Sequence, residues 1–168
     1  MKTRSLVTFM LIGLLISLIV AISDLPVNAQ TDESPIAVKF AYAPRKIQKG
    51  DVWKIYLSVS DTGGNMMKVS FSIDESGGTR YRSTFMYLKK SMAKEFTGYF
   101  ALHTAASRDL SGVDLTLKLS ISDDKGNHKD LSFPVEFGGH EMKPLPPEME
   151  KELNRRIGII DIDLDVPD

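Results

Sequence analysis

Few side chains in this 168-residue chain stand at spacings that do chemistry. The histidines are His103, His128 and His140, and none has a partner at a ligand spacing such as H-E-x-x-H. They read as surface or strand residues rather than metal ligands. Ser107 and Asp109 follow His103 closely, but a triad needs convergence from separate, rigid elements, and these three share one short stretch. There is no Gly-x-Ser-x-Gly elbow, and the glycine pairs lack the spacing of a phosphate loop. No catalytic residue is assigned, and the chain is read as a non-enzyme.

Two sets of charged residues are better placed for binding. Asp61, Asp123, Asp124 and Asn127 fall in two turns. If those turns meet, their oxygens suit calcium, a hard cation that takes six to eight of them. The plainer reading is that Asp and Asn shape the turns themselves, with no cofactor. The second set pairs Arg80 and Arg82 with Asp161, Asp163 and Asp165, each set repeating every two residues. The aspartates alternate with Ile160, Ile162, Leu164 and Val166, a strand pattern with one apolar and one acidic face. Residues 159–166 are expected to add as a β-strand to a sheet edge, in their own domain or on a partner protein, with burial driving docking and charge biasing register.

The elements that must hold these residues are strands. Period-two alternation recurs from residue 36 to 137. The expected apolar faces are Ile36, Val38, Phe40 and Tyr42; Trp53, Ile55, Leu57 and Val59; Met67, Val69, Phe71 and Ile73; Tyr81, Phe85 and Tyr87; Phe96, Phe100 and Leu102; Val113 to Ile121 at alternate positions; and Leu131, Phe133, Val135 and Phe137. Pro134 has no amide hydrogen, so its strand belongs at an edge or carries a bulge. Seven short strands separated by Gly-, Asn- and Asp-rich turns predict an all-β, two-layer antiparallel sandwich.

An internal echo refines this. Leu57-Ser58-Val59-Ser60-Asp61-Thr62-Gly63-Gly64-Asn65 is similar to Leu119-Ser120-Ile121-Ser122-Asp123-Asp124-Lys125-Gly126-Asn127. Over residues 34 to 138 the chain resembles bacterial immunoglobulin-like domains of exported proteins. The second copy and the Leu131–Phe137 strand resemble their F–G hairpin, and the first resembles the B strand and B–C turn. The resemblance implies that both turns lie at one end of the sandwich. The cysteine pair of antibody domains is absent, and Trp53 stands on the second strand rather than the third.

The flanks differ from the body. Lys2 and Arg4 precede an uncharged apolar run from Leu6 to Ile22, and Val27-Asn28-Ala29 suits a peptidase cut. Residues 1–29 are therefore expected to be a signal peptide, 30–35 a linker, 36–138 the sandwich, and 139–168 a Pro-rich linker, short helix and acidic tail. The helix is expected over about Pro146 to Ile157, ended by Gly158. Export follows, to the periplasm or outside; a membrane partner follows only if the first segment is retained as an anchor. Lys+Arg 21 against Asp+Glu 22 gives no basic excess, which argues against nucleic acid. Without cysteine, disulfides and thiolate sites are excluded. The charge is nonetheless uneven: 79–94 holds five bases and no acid, while 139–168 holds eight acids and four bases. The expected function is a non-catalytic binding or assembly module for a protein partner, acting through a sheet edge, end loops or the tail. The alternative is a carbohydrate-binding accessory domain that holds polysaccharide on exposed aromatics such as Tyr56.

Overall fold

In the computed structural model, alternation becomes two stacked sheets wherever period two runs unbroken. The structure describes residues 34–48, 50–105, 109–139, 141, 144–165 and 167. The expected signal peptide and most of the linker after it lie outside the described residues, as do Ser107, His140 and Val166. Among the described residues no helix is long and apolar enough to cross a membrane.

The strands are β1 (Ile36–Tyr42), β2 (Lys46–Ile47), β3 (Val52–Asp61), β4 (Met66–Glu75), β5 (Arg80–Tyr87), β6 (Glu95–Ala105), β7 (Asp114–Asp123), β8 (His128–Phe137) and β9 (Arg156–Asp163). One four-residue helix, α1, spans Glu150–Leu153. The four-stranded sheet has the order β1-β3-β6-β9, and the five-stranded sheet β2-β8-β7-β4-β5. The fold is thus all-β, a sandwich of two sheets. Nine described strands replace the seven read in the body, because the two-residue β2 and the tail strand β9 join them.

The core fills the space between the sheets. Trp53, Ile55 and Leu57 of β3, with Phe100 and Leu102 of β6, face Val69 and Phe71 of β4 and Leu117, Leu119 and Ile121 of β7, all fully buried. Phe71 and Phe100 meet edge to face across the layers, with centroids 5.2 Å apart. Trp53 is core filler, and its indole N–H donates to the Pro44 carbonyl at 2.8 Å. Pro134 sits on β8 opposite Thr116 of β7. Beyond it only β2 pairs with β8, at Glu136 and Phe137, so the missing N–H falls on an edge.

Three expected faces are corrected, each by a bulge that adds one residue and reverses parity. In β1 the extra residue is Lys39: Val38 pairs with Val59 and Phe40 with Ser58. Ala41 then turns toward the core, and Tyr42 goes outward to stack on Tyr56. In β4 the extra residue is Met67, so Met66 is buried and Met67 exposed. In β5, Arg82 and Ser83 together oppose Ser72, between the pairs Phe71–Thr84 and Ile73–Tyr81. Tyr81 is therefore buried and Met86 packs on the core, whereas Phe85 and Tyr87 face solvent.

The C-terminal segment belongs to the same compact unit, Ser34–Asp168, rather than standing apart. The expected helix shrinks to one turn. Strand structure begins at Arg156, and Gly158 lies within β9 instead of ending a helix. The ladder wins over helix propensity here: β9 runs parallel to β6, with Leu102 opposite Ile160 and Thr104 opposite Ile162. α1 lies against β3 and β6, where its Leu153 is fully buried outside the core between the sheets. The tail thus crosses the outer side of the four-stranded sheet before completing its edge.

Candidate functional site

The two echoed turns have one geometry. Asp61 Oδ1 accepts the Gly63 N–H (2.8 Å) and Oδ2 accepts the Asn65 N–H (2.9 Å). Asp123 Oδ1 accepts the N–H groups of Lys125 (2.9 Å) and Asn127 (2.8 Å), and Oδ2 accepts the Asn127 side-chain amide (2.6 Å). Gly64 and Gly126 supply the positive φ that each turn needs, 69° and 89°. The turns also touch: Asp124 N–H donates to the Asn65 carbonyl at 3.2 Å, and the Asn65 amide donates to Asp124 Oδ1. Burial raises the affinity of Asp123 for its proton, but the hydrogen bonds from the Asn127 side chain and backbone, Lys125 and Gly126 outweigh it, so its pKa lies below the ordinary value. These contacts favour the plainer reading, in which Asp61 and Asp123 shape their turns. Their carboxylate oxygens accept from amides of their own turns, and among the described residues no group of three His, Asp or Glu could hold a metal. Asn65 Oδ1 is the one described buried polar side-chain atom without a partner, and one oxygen falls far short of a calcium shell.

The tail residues divide by face. Ile160, Ile162 and Leu164 are buried in this chain's own core, while Asp161, Asp163 and Asp165 are exposed. Asp163 Oδ1 accepts the Asp165 N–H (2.9 Å) and closes the turn after β9. The expected pairing of these aspartates with both arginines is corrected. β9 pairs with β6, not β5, and Arg80 grips Asp74 instead, Nε to Oδ1 2.9 Å and a second guanidinium nitrogen to Oδ2 3.3 Å. Arg82 does lie near the tail. With Ser83, Thr84 and Phe85 it lines one wall of a crevice of about 510 Å³, whose other wall is Asp161, Ile162 and Asp163. The edges of β5 and β9 therefore lie side by side, and an isolated bridge pairs Tyr81 with Pro167.

The outer face of the five-stranded sheet forms a grid fixed by register. From β5 across to β8 its rows are Tyr87, Lys68, Ser122, His128; Phe85, Ser70, Ser120, Asp130; and Arg80, Asp74, Thr116, Pro134, with Ser72, Lys118 and Ser132 between the last two. An open groove of about 580 Å³ runs over this grid. Its charges are grouped locally. Lys118 Nζ reaches Asp74 Oδ2 at 2.5 Å, beside Arg80, and His128 stands 4.0 Å from Asp130. Hydrogen bonds from Arg80 first and Lys118 second lower the Asp74 pKa from 3.8 to about 2. Lys68 Nζ stands over the Phe85 ring, 5.8 Å from its centroid, and Phe85 meets Tyr87 edge-on at 5.4 Å.

Tyr56 is not an exposed platform. It is 7% exposed, stacked on Tyr42 (6.1 Å) and tilted against Tyr99 (5.8 Å). Burial, then Tyr99 and Tyr42, raises its pKa. The exposed aromatics are Phe85 and Tyr87. Their outward turn was hidden by the β5 bulge, and Asp74 was missed because its partners come from two other strands. The outward parity of Ser70, Ser72, Lys118 and Ser120 is the one signal of the grid present in the sequence.

The class defined by fold and surface is a two-sheet β-sandwich with clustered charges on one broad face and two sheet-ending strands beside each other. No protein-family model matches the chain, and no curated protein is similar to it in sequence.

Proposed function

We propose that the chain is an exported, periplasmic or secreted, non-catalytic binding or assembly module of immunoglobulin-like topology. It engages a protein partner along the open edge of β5 beside β9. The strand order supports the topology: β1-β3-β6 corresponds to an A-B-E layer, and β8-β7-β4-β5 to G-F-C-C′. β9 takes the place of D but runs parallel to its neighbour. The apolar start of the chain supports export.

The observation that carries the binding reading is the crevice between the two edges, with Arg82 on one wall and Asp161 and Asp163 on the other. Beyond the bulge, Thr84 to Tyr87 is a regular strand that ends its sheet, with β9 across the crevice but not paired to it in the sheet order. An extended partner segment gains main-chain hydrogen bonds there, and the charged walls select its register. The test is site-specific photocrosslinking of the full chain in its producing cells. A photoreactive residue at position 82 is expected to give a discrete protein adduct, and one at Lys129, on β8 at the far side of the same sheet, is not. No adduct from position 82, or the same adduct from both positions, rejects the reading.

A further inference from the structure

We propose that the outer face of the five-stranded sheet binds a neutral polysaccharide chain, with the Phe85 and Tyr87 rings against sugar faces and the hydroxyl rows of β4, β7 and β8 against sugar hydroxyls. This site adjoins the edge crevice, with which it shares Ser83 and Phe85, and does not depend on a protein partner.

Three features converge on this ligand class. The first is the lining. Ser70, Ser72, Ser83, Ser120 and Ser132 border the groove. A hydroxyl both donates and accepts, as a sugar hydroxyl does, so such rows suit a ligand carrying many of both. The second is charge. Arg80 and Lys118 share Asp74, and His128 has Asp130 beside it. Three bases, Lys68, Arg80 and Lys118, against two acids, Asp74 and Asp130, leave this face a net of +1 with His128 neutral, so it offers donors and acceptors with only a small net attraction for an anion. A neutral chain keeps that balance, whereas an acidic one would have to compete with Asp74 and Asp130.

The third is the aromatic margin. Phe85 and Tyr87 are 57% and 63% exposed and add nothing to the core between the sheets. They face the groove side because the Arg82–Ser83 bulge reverses β5 parity between Tyr81 and Phe85. Bulges of this kind re-aim side chains. Here the result places two rings in register with Lys68 and Ser70, at the border of the hydroxyl rows. A ring face is apolar and matches the C–H face of a sugar. Alternate residues along a strand repeat every ~7 Å, so the four rows from Lys68 to Asp74 span about 20 Å. That length suits several linked sugars.

Affinity electrophoresis of the full chain tests this, with gels containing hydroxyethyl cellulose, galactomannan or arabinoxylan as neutral probes and polygalacturonate as the acidic one. At least one neutral probe is expected to retard the protein. The double variant Phe85→Ala and Tyr87→Ala is expected to bind that probe about tenfold more weakly or worse. Lys118→Ala should weaken it less, and Ile159→Ser, a change at an exposed site on the other sheet, should leave it unaltered. Because Phe85 and Tyr87 are exposed, the double variant keeps its melting temperature, which separates lost binding from lost folding. Retardation by polygalacturonate alone, by no probe, or undiminished in the double variant overturns the proposal. The photocrosslink from position 82 is read independently, so either site can fail without the other.

Discussion

Gly98 of β6 lies directly beneath the backbone carbonyl of Arg155, so that a Cβ at position 98 would fall well inside van der Waals contact with that oxygen and only 2.9 Å from Ile157 Cγ1. The same approach lets Tyr99 N–H donate to the Arg155 carbonyl at 2.9 Å, the bond that brings the tail into the sheet. Gly98→Ala should therefore displace the start of β9 and cost about 1–3 kcal/mol, the usual scale for overpacking. Gly158 offers the contrast. A Cβ there meets the Sδ and Cε of Met86, the mobile end of a flexible side chain. Gly158→Ala should be the milder change, and urea midpoints of the two variants compare them directly.

The tail should also prove indispensable to the fold. Ile160, Ile162 and Leu164 are 1–3% exposed. Burying each contributes about 2 kcal/mol, and three together rival the 5–15 kcal/mol of a whole domain. Removing residues 139–168 is expected to leave a chain that is largely unfolded or aggregates through the exposed edge of β6. Ile162→Ala alone should cost about 2–5 kcal/mol. A cooperative melt of the truncated chain near the full-length temperature would show that the tail contributes little.

The contrast between β3 and β5 shows what a sequence carries. Trp53, Ile55, Leu57 and Val59 were legible as one face because their alternation is unbroken in the structure. Leu115 to Ile121 were legible for the same reason. Phe85 and Tyr87 were not, because a bulge depends on how β5 pairs with β4, and no residue at Arg82 or Ser83 marks it. The turns at Asp61 and Asp123 could be read as turns, and even as partners at one end of the sandwich. That their carboxylates face inward to amides depends on backbone geometry that composition does not encode. For the tail, alternation from Ile160 to Leu164 foretold a strand. Its neighbour, β6, was beyond reach because that choice depends on which edge is open in three dimensions.

The Asp74 cluster predicts an acid-sensitive component of stability. Its carboxyl titrates at about 2 in the folded chain against an ordinary 3.8. A lowered folded pKa gives stability that is present above about pH 4 and is lost as pH falls toward 2. Arg80 and Lys118 are about half exposed, so solvent screens the pair and the contribution is about 1 kcal/mol. Asp74→Asn should lower the urea midpoint at pH 5, and the difference from wild type should shrink toward zero by pH 2. A difference that stays constant across this range would place the effect in packing rather than in charge.

Asp123 should act through its turn and not through a metal. Its two oxygens accept three hydrogen bonds, from Lys125 N–H, Asn127 N–H and the Asn127 amide. Asp123→Ala strips all three, leaving the Lys125 and Asn127 N–H groups to solvent, and should lower the melting temperature. Asp123→Asn keeps an acceptor for the backbone but sets one amide NH₂ against another at Asn127, so it should recover part of the loss. If the carboxylates serve only the turns, calcium finds no free set of oxygens, and millimolar calcium should leave the melting temperature of wild type and both variants unchanged. A calcium-dependent rise in wild type that disappears in Asp123→Ala would instead require the turn to open and turn its oxygens outward. Calorimetric titration distinguishes the two cases: a saturable heat of either sign in wild type that is missing in Asp123→Ala would report such a rearranged turn.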